Sequence, residues 1–331
     1  MCTGLTLETK DGYHLFGRSM DIPLEFNQSV NLIPRNFNWK NVITNKITKT
    51  KYAILGMSTI IDDHPMLADG LNEMGLSCAG LYFGGFAEYE KDLISGKENI
   101  GPHDFILWTL GNFQNISELK EALKNLNIVD KPFSSSVPLA LLHWIVSDKS
   151  GNSIVIEKIK DKLNIWDNPV GVLTNSPSFD WHLINLRQYI GLRPKQFDNI
   201  KFSSLEISPF SQGTGAFGLP GDFTSPSRFV RATFLKNNIT CIDNEVEGIT
   251  AFFHILSNCS MPSGSIVTSD NHNYKTIYTS AMCCETGTYY YHTYDNRQIT
   301  SIHLFKEDLD SKEIKNYPYR NKQSIFCENY S

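Results

Sequence analysis

Long apolar runs are missing from this chain. No 18 consecutive apolar residues occur, so no transmembrane helix is expected, and no membrane partner. The amino end has no basic segment followed by an apolar one, so no secretory leader is expected. Positive charge is not in excess either. Thirty Lys and Arg face 35 Asp and Glu, a net charge of −5, which leaves no footprint for nucleic acid. The seven cysteines (2, 78, 241, 259, 283, 284, 327) are odd in number and show no Cys-x-x-Cys spacing. Neither a disulfide framework nor a zinc site is expected, and a reducing cytoplasm fits. The nine histidines are scattered, with no His-Glu-x-x-His or His-x-x-Glu-His among them, so no metal or other cofactor is expected. Two glycosylation patterns, Asn27-Gln28-Ser29 and Asn238-Ile239-Thr240, carry no weight without secretion. No internal repeat, low-complexity tract or linker divides the chain, so a single domain spanning 1–331 is expected.

What is present begins at Cys2. Methionine can be trimmed before a small residue, and removal of Met1 would give Cys2 a free α-amine beside its thiol. The amine's unperturbed pKa is about 7.7–8.0 and that of a thiol about 8.5, so one residue would hold a nucleophile and its base. The flanking residues support this reading. Thr3 to Thr9 alternates like a strand, Lys10-Asp11-Gly12 is a turn, and Tyr13 to Asp21 reads as a second strand. An Asp-Gly pair between alternating runs predicts a hairpin. The hairpin brings Arg18 and Asp21 beside Cys2, where a guanidinium favours a thiolate and a carboxylate can orient the α-amine.

Further along, strands are expected at Ser29–Pro34, Tyr52–Met57 and Gly75–Phe83, with 36–51 as an exposed polar excursion. Helices are expected over 104–113 and after Asn115, where Leu119, Ala122, Leu123 and Leu126 form a core stripe. Pro132 to Pro138 reads as a loop. Strands follow at 141–146, 153–157, 162–166 and 170–175, then helices at 181–190 and 248–259. Strands close the pattern at 276–282, 288–294 and 298–304. The pattern alone specifies a mixed α and β protein. Arg228 lies in an otherwise uncharged run, Phe223 to Val230, which suggests a partnered charge.

Five blocks in order carry a resemblance: Met1-Cys2-Thr3; Gly17-Arg18 with Met20-Asp21; Asp69-Gly70-Leu71-Asn72-Glu73 with Gly75-Leu76; Thr174-Asn175-Ser176-Pro177; and Gly218 to Thr224 with Ser227-Arg228-Phe229. They resemble the choloylglycine hydrolase family, bacterial bile salt hydrolases and penicillin V acylases with an N-terminal nucleophile. The resemblance implies an α+β fold, a four-layer α-β-β-α sandwich of two antiparallel sheets flanked by helices. It also implies hydrolysis of a linear amide C–N bond in a small-molecule substrate, and a homotetramer.

Residue by residue, the resemblance makes Cys2 the nucleophile, with Arg18, Asp21 and Arg228 around it. The Asn175 side chain and the Tyr82 backbone N–H would form the oxyanion hole, where one donor is worth on the order of 3 kcal/mol. Matching pocket positions are Met20, Phe26, Ile61, Ala68, Phe133 and Val137. The N-terminal block is most similar to bile salt hydrolases, which release glycine or taurine from conjugated bile acids. Tyr82 replaces the Asn that many of them carry and is similar to the acylase branch. Gln212 to Gly215 would be a specificity loop.

Overall fold

The computed structural model describes residues 1–240 and 242–329, so Cys241 lies outside the described residues. Two antiparallel sheets face each other. Among the described residues the first sheet has seven strands, running Val172–Leu173, Cys2–Glu8, His14–Ile22, Asn273–Cys283, Thr288–Thr293 and Thr300–His303, with Ile266–Val267 paired to Asn273–Cys283. The second has eight: Lys162–Asp167, Ser153–Ile159, Leu142–Ser147, Ser77–Tyr82, His64–Asn72, Ile54–Ile61, Ser29–Ile33 and Lys315–Tyr317.

Two faces of one strand explain the layering. Successive side chains of a strand point to opposite faces. Ile145 enters the core between the sheets, whereas its neighbours Trp144 and Val146 enter a second core on the outer face. Val155 and its neighbours Ile154 and Ile156 divide in the same way. A strand buried on both faces reads as a continuous apolar run, and Trp144 to Val146 does so. Helices α1 (Phe105–Asn112) and α2 (Ile116–Leu123) supply the second core, with α1 against the strands at 64–72 and 77–82. Helices α4 (Ser225–Asn238) and α5 (Glu245–Ser257) cover the first sheet, and α3 (Phe179–Asn185) contacts α4. The four layers are therefore α-β-β-α, as the resemblance implied. No helix among the described residues is long and apolar enough to cross a membrane.

Local chemistry accounts for much of the expected pattern. Asn115 and Asn244 each accept from the third backbone N–H of α2 and α5, the N-cap bond that leaves fewer orphan donors. Asn72 closes the turn after its strand, accepting from Met74 and Leu76 N–H and donating to Leu110 and Phe113 carbonyls. Gly75 follows at φ +87°, packed against Lys149 and the Cys284 carbonyl, where a side chain has no room.

Several boundaries differ from expectation. The 36–51 excursion is a small hairpin, Asn38–Lys40 with Ile47–Lys49, that buries Trp39 and Asn41 rather than an exposed turn. The strand expected over 170–175 shrinks to Val172–Leu173, because Gly171 and Asn168 make a turn instead. Leu126 leaves α2 for a short parallel strand, Leu126–Ile128. The helix expected at 181–190 begins at Phe179 and tightens to a 3-10 turn over Leu186–Tyr189. Helix α4 was not expected at all. Its residues 227–233 are all buried, Ser227, Arg228, Arg231 and Thr233 included, so no amphipathic period marks it, although Pro226 in its first turn is a start signal. The segment 212–215 enters a 3-10 turn, Thr214–Ala216, after Gly213 at φ +92°.

The strand carrying Arg18 depends on Gly17. A Cβ there would sit 2.1 Å from the Ser280 carbonyl oxygen, which belongs to the neighbouring backbone. We predict that Gly17→Ala costs about 1–3 kcal/mol by overpacking. An unchanged urea midpoint would show that the two strands can separate freely.

Candidate active site

The hairpin register fixes the first three site residues. Cys2 pairs with Met20, Thr3 with Ser19 and Gly4 with Arg18, so Arg18 and Asp21 arrive beside Cys2 as the Asp-Gly turn predicted. Cys2, Arg18, Asp21 and Arg228 are all buried. Arg18 Nε donates to Ser19 O at 2.9 Å, and Nη1 donates to Gly80 O at 3.2 Å and Ala68 O at 3.5 Å. Its Nη2 is buried and has no protein partner among the described residues. Burial opposes the Arg18 charge, but Cys2, Tyr278, Asp69 and Asp21 outweigh it and raise the pKa.

Arg228 approaches Cys2 from α4. Nη1 donates to Cys2 O at 2.5 Å and Thr3 Oγ1 at 2.7 Å, Nη2 to Asn175 Oδ1 at 2.7 Å, and Nε to Phe223 O at 2.9 Å. Burial lowers its pKa, against the opposing pull of Asp21, whose carboxylate lies 4.0 Å away. Asp21 accepts from Thr276 Oγ1 at 2.6 Å and Ser19 Oγ at 3.1 Å. The nitrogen of Cys2, an amide with Met1 in place, donates to Asn175 Oδ1 at 2.9 Å, so Asn175 rather than the Asp21 carboxylate holds it. Met1 extends the pairing: its α-amine donates to Asp21 O and its carbonyl accepts from Asp21 N. Burial lowers the pKa of that amine.

The Asn175 amide can adopt only one orientation. Arg228 and Cys2 both donate to Oδ1, which leaves Nδ2 as the donor to Tyr82 O at 2.7 Å. One of its two N–H bonds remains for another acceptor. Phe83 N donates to Leu141 O at 2.8 Å, and strand N–H groups alternate in direction, so Tyr82 N–H points away from the strand at 142–147. Tyr82 O faces Asn175, and Tyr82 N lies on the same edge. The expected oxyanion donors are thus side by side. The Tyr82 side chain is 53% exposed.

A cavity of about 360 Å³ opens beside this group. Met20, Phe26, Ile61, Ala68 and Val137 line it as expected, together with Gly80, His103 and Leu142. Met20 is the cross-strand partner of Cys2, and Gly80 and Ala68 carry the carbonyls that Arg18 holds. The sixth expected residue, Phe133, does not line the cavity. Its ring packs on His64 at 5.1 Å and on His103 at 6.1 Å, so it stands behind His103.

The profile described as linear amide C–N hydrolases, choloylglycine hydrolase family, matches residues 2–317. This chain belongs to the choloylglycine hydrolase family. It is 53% identical over 325 residues to a bile salt hydrolase/transferase of Clostridium perfringens, covering 98% of this chain and 99% of the relative. A crystal structure of a variant of the conjugated bile acid hydrolase from Clostridium perfringens superposes with a TM-score of 0.94, at 53% identity, over 99% of this chain and 100% of that one. A penicillin V acylase structure from Agrobacterium tumefaciens, 24% identical, shares the fold with a TM-score of 0.77 over 96% of this chain and 91% of its own.

In this choloylglycine hydrolase family member, sequence reasoning missed the residues that support the arginines. Asp69 accepts from Tyr278 and Tyr289 hydroxyls at 2.6 Å each and from Ser280 Oγ at 3.3 Å, with Arg18 Nη1 4.0 Å away. Burial raises the Asp69 pKa against those partners. Asp69 opens one of the five resemblance blocks, which was a signal, but nothing linear points to two tyrosines in the opposite sheet. Two histidines were missed as well. His143 Nε2 lies 3.0 Å from Thr174 O, and His182 Nε2 lies 2.9 Å from Asn175 O.

Burial pushes the His182 pKa down to about 4. Between pH 6.5 and 4 the unfolded chain takes up a proton there that the folded chain refuses, so stability is full above pH 6.5 and falls toward pH 4. The loss is on the order of 3 kcal/mol. Urea midpoints at pH 7 and pH 4.5 measure it, and His182→Gln should shrink the decline. An equal decline in that variant would exclude His182 as a source.

Proposed function

We propose that this chain is a bile salt hydrolase, cleaving the amide bond of glycine- or taurine-conjugated bile acids. The observation that carries the reading is an apolar cavity beginning one side chain from Cys2, in a chain 53% identical to a bile salt hydrolase/transferase. Its volume lies in the range of small-molecule pockets, and its walls suit a steroid face.

The proposed mechanism starts with loss of Met1. Cys2 then has a free α-amine, in a buried environment of the kind that lowers the pKa of the Met1 amine. The amine, through a water, accepts the thiol proton, with Asn175 Oδ1 holding it and Arg18 favouring the thiolate. Sγ attacks the amide carbon, and the oxyanion is met by Asn175 Nδ2–H and Tyr82 N–H. Arg228 keeps the Cys2 carbonyl and Asn175 in register. Collapse of the tetrahedral intermediate breaks the C–N bond, and the amine base returns its proton to the departing glycine or taurine. Water then hydrolyses the thioester and frees the bile acid.

The penicillin V acylase reading has one observation in its favour. Tyr82, exposed at the end of its strand, carries the aromatic side chain by which the sequence resembles the acylase branch. Other proposals accompany the function. One domain spans 1–331. A homotetramer is supported by the exposed apolar side chains of Ile190, Phe202, Leu205, Phe210 and Phe217. A cytoplasmic location accords with free thiols at Cys2, Cys78, Cys259, Cys283, Cys284 and Cys327.

Parallel hydrolysis of glycocholate, taurocholate and penicillin V by the Met-trimmed protein tests the substrate. Faster release of glycine or taurine is expected, and faster cleavage of penicillin V would reverse the assignment. Cys2→Ala should abolish turnover with the fold intact. Intact mass provides an independent check, since retention of Met1 in active protein is incompatible with an α-amine base.

A further inference from the structure

The proposed oxyanion donor is held from behind. Thr174 and Asn175 present successive carbonyls, and each accepts from a buried imidazole: His143 at 3.0 Å and His182 at 2.9 Å. A carbonyl only accepts, so Nε2 carries the proton in both rings. Among the described residues His182 Nδ1 is buried without a protein partner, which fits a neutral ring with a single donor. His143 uses its other nitrogen on Glu157, with Nδ1 3.1 Å from Oε1. The same carboxylate accepts from Phe179 N at 3.0 Å and from Trp166 Nε1 at 3.1 Å, and it is fully buried.

Each ring also stacks on an aromatic neighbour of another site residue. Phe83, next to Tyr82, lies parallel to His143 with centroids 4.2 Å apart. Phe229, next to Arg228, stacks on His182 at 4.6 Å. Both histidines therefore connect the 174–175 turn to the segments that carry the other oxyanion donor and the Asn175-orienting arginine. Neither ring nitrogen bonds to Cys2, Arg18 or Asp21.

We infer that His143, backed by Glu157, and His182 are positioning residues that fix the Thr174–Asn175 backbone so that the Asn175 amide meets the oxyanion. This rests on the reading above, in which Cys2 hydrolyses an amide and Asn175 stabilises its intermediate. Donors to a transition state act through preorganisation, and displacement by about 1 Å can cost about 10²-fold.

The test separates chemistry from nucleophile and fold. His182→Phe keeps the stack on Phe229 and removes the donor to Asn175 O, whereas His182→Gln restores an N–H. Each is assayed for kcat, KM, the rate of Cys2 alkylation by iodoacetamide, and thermal unfolding. His182→Phe should lower kcat roughly 10- to 100-fold, with KM and alkylation within about threefold of wild type. His182→Gln should recover most of kcat. A kcat within threefold for His182→Phe, alkylation falling in parallel with kcat, or no recovery in His182→Gln would overturn the inference. If His182→Phe does not fold, Glu157→Gln decides on the same criteria, because it keeps the side-chain shape and withdraws the carboxylate from His143. Kinetics use whichever amide, glycocholate or penicillin V, the wild-type protein turns over. Inertness toward glycocholate then counts against the bile salt reading alone, and loss of the contrast between variants counts against the positioning role.

Discussion

The buried guanidinium of Arg228 joins three stretches of chain that are remote in sequence. It donates to Cys2 O and Thr3 Oγ1 at the amino end, to Asn175 in the middle, and to Phe223 O just before its own helix. A charge taken out of water is tolerated only where acceptors surround it, and here four oxygens do so, with Asp21 at 4.0 Å. The demand runs both ways. Arg228 forces Asn175 to present its oxygen inward, which turns the amide nitrogen toward Tyr82. The position of Cys2 and the orientation of the Asn175 amide follow from one side chain.

Arg18 and Arg228 flank Cys2 but are not duplicates. Arg18 is surrounded by groups that raise its pKa, among them Asp69 and Tyr278. Arg228 bonds to four neutral oxygens, and burial, with Arg231 adding to it, lowers its pKa. Both guanidinium groups stay charged, but Arg18 lies among Cys2, Tyr278, Asp69 and Asp21, whereas Arg228 acts through the direction of its hydrogen bonds. Asp69 makes this division possible. It reaches from the second sheet to Arg18, Tyr278, Ser280 and Tyr289 in the first, so the Arg18 charge is balanced across the sandwich.

How much of this was legible in the sequence depended on distance along the chain. Cys2, Arg18 and Asp21 are joined by one hairpin, and an Asp-Gly turn between alternating runs is enough to bring them together. Asn175, Tyr82 and Arg228 meet Cys2 only through sheet stacking and the packing of α4, and they were reached by resemblance. Asp69 with its two tyrosines, Glu157 with His143, and His182 against Asn175 O form contacts between elements whose pairing no local period encodes. Helix α4 was hidden for a related reason. Its polar residues 227, 228, 231 and 233 are buried along with its apolar ones, and this erases the alternation by which a helix is recognised. Phe133 was misplaced by one layer, since a loop position matched by resemblance does not say which ring of a cluster reaches the cavity.

The arrangement separates the selection of substrate from the chemistry. The cavity walls come from the strands at 14–22, 54–61, 64–72 and 77–82 and from the segments at 102–106 and 137–142. The proposed reacting groups come from Cys2, the 174–175 turn, Tyr82 and α4. Met20 and the 68 and 80 carbonyls are where the two regions meet, because Met20 lines the cavity opposite Cys2 and Arg18 grips the carbonyls. A change at Phe26, Ile61 or Val137 reshapes what the cavity accepts and leaves the arginine network intact. A change at Tyr82 is different in kind. Its N–H is the proposed oxyanion donor while its ring is exposed, so a change of side chain there leaves in place the N–H that the proposed reaction needs.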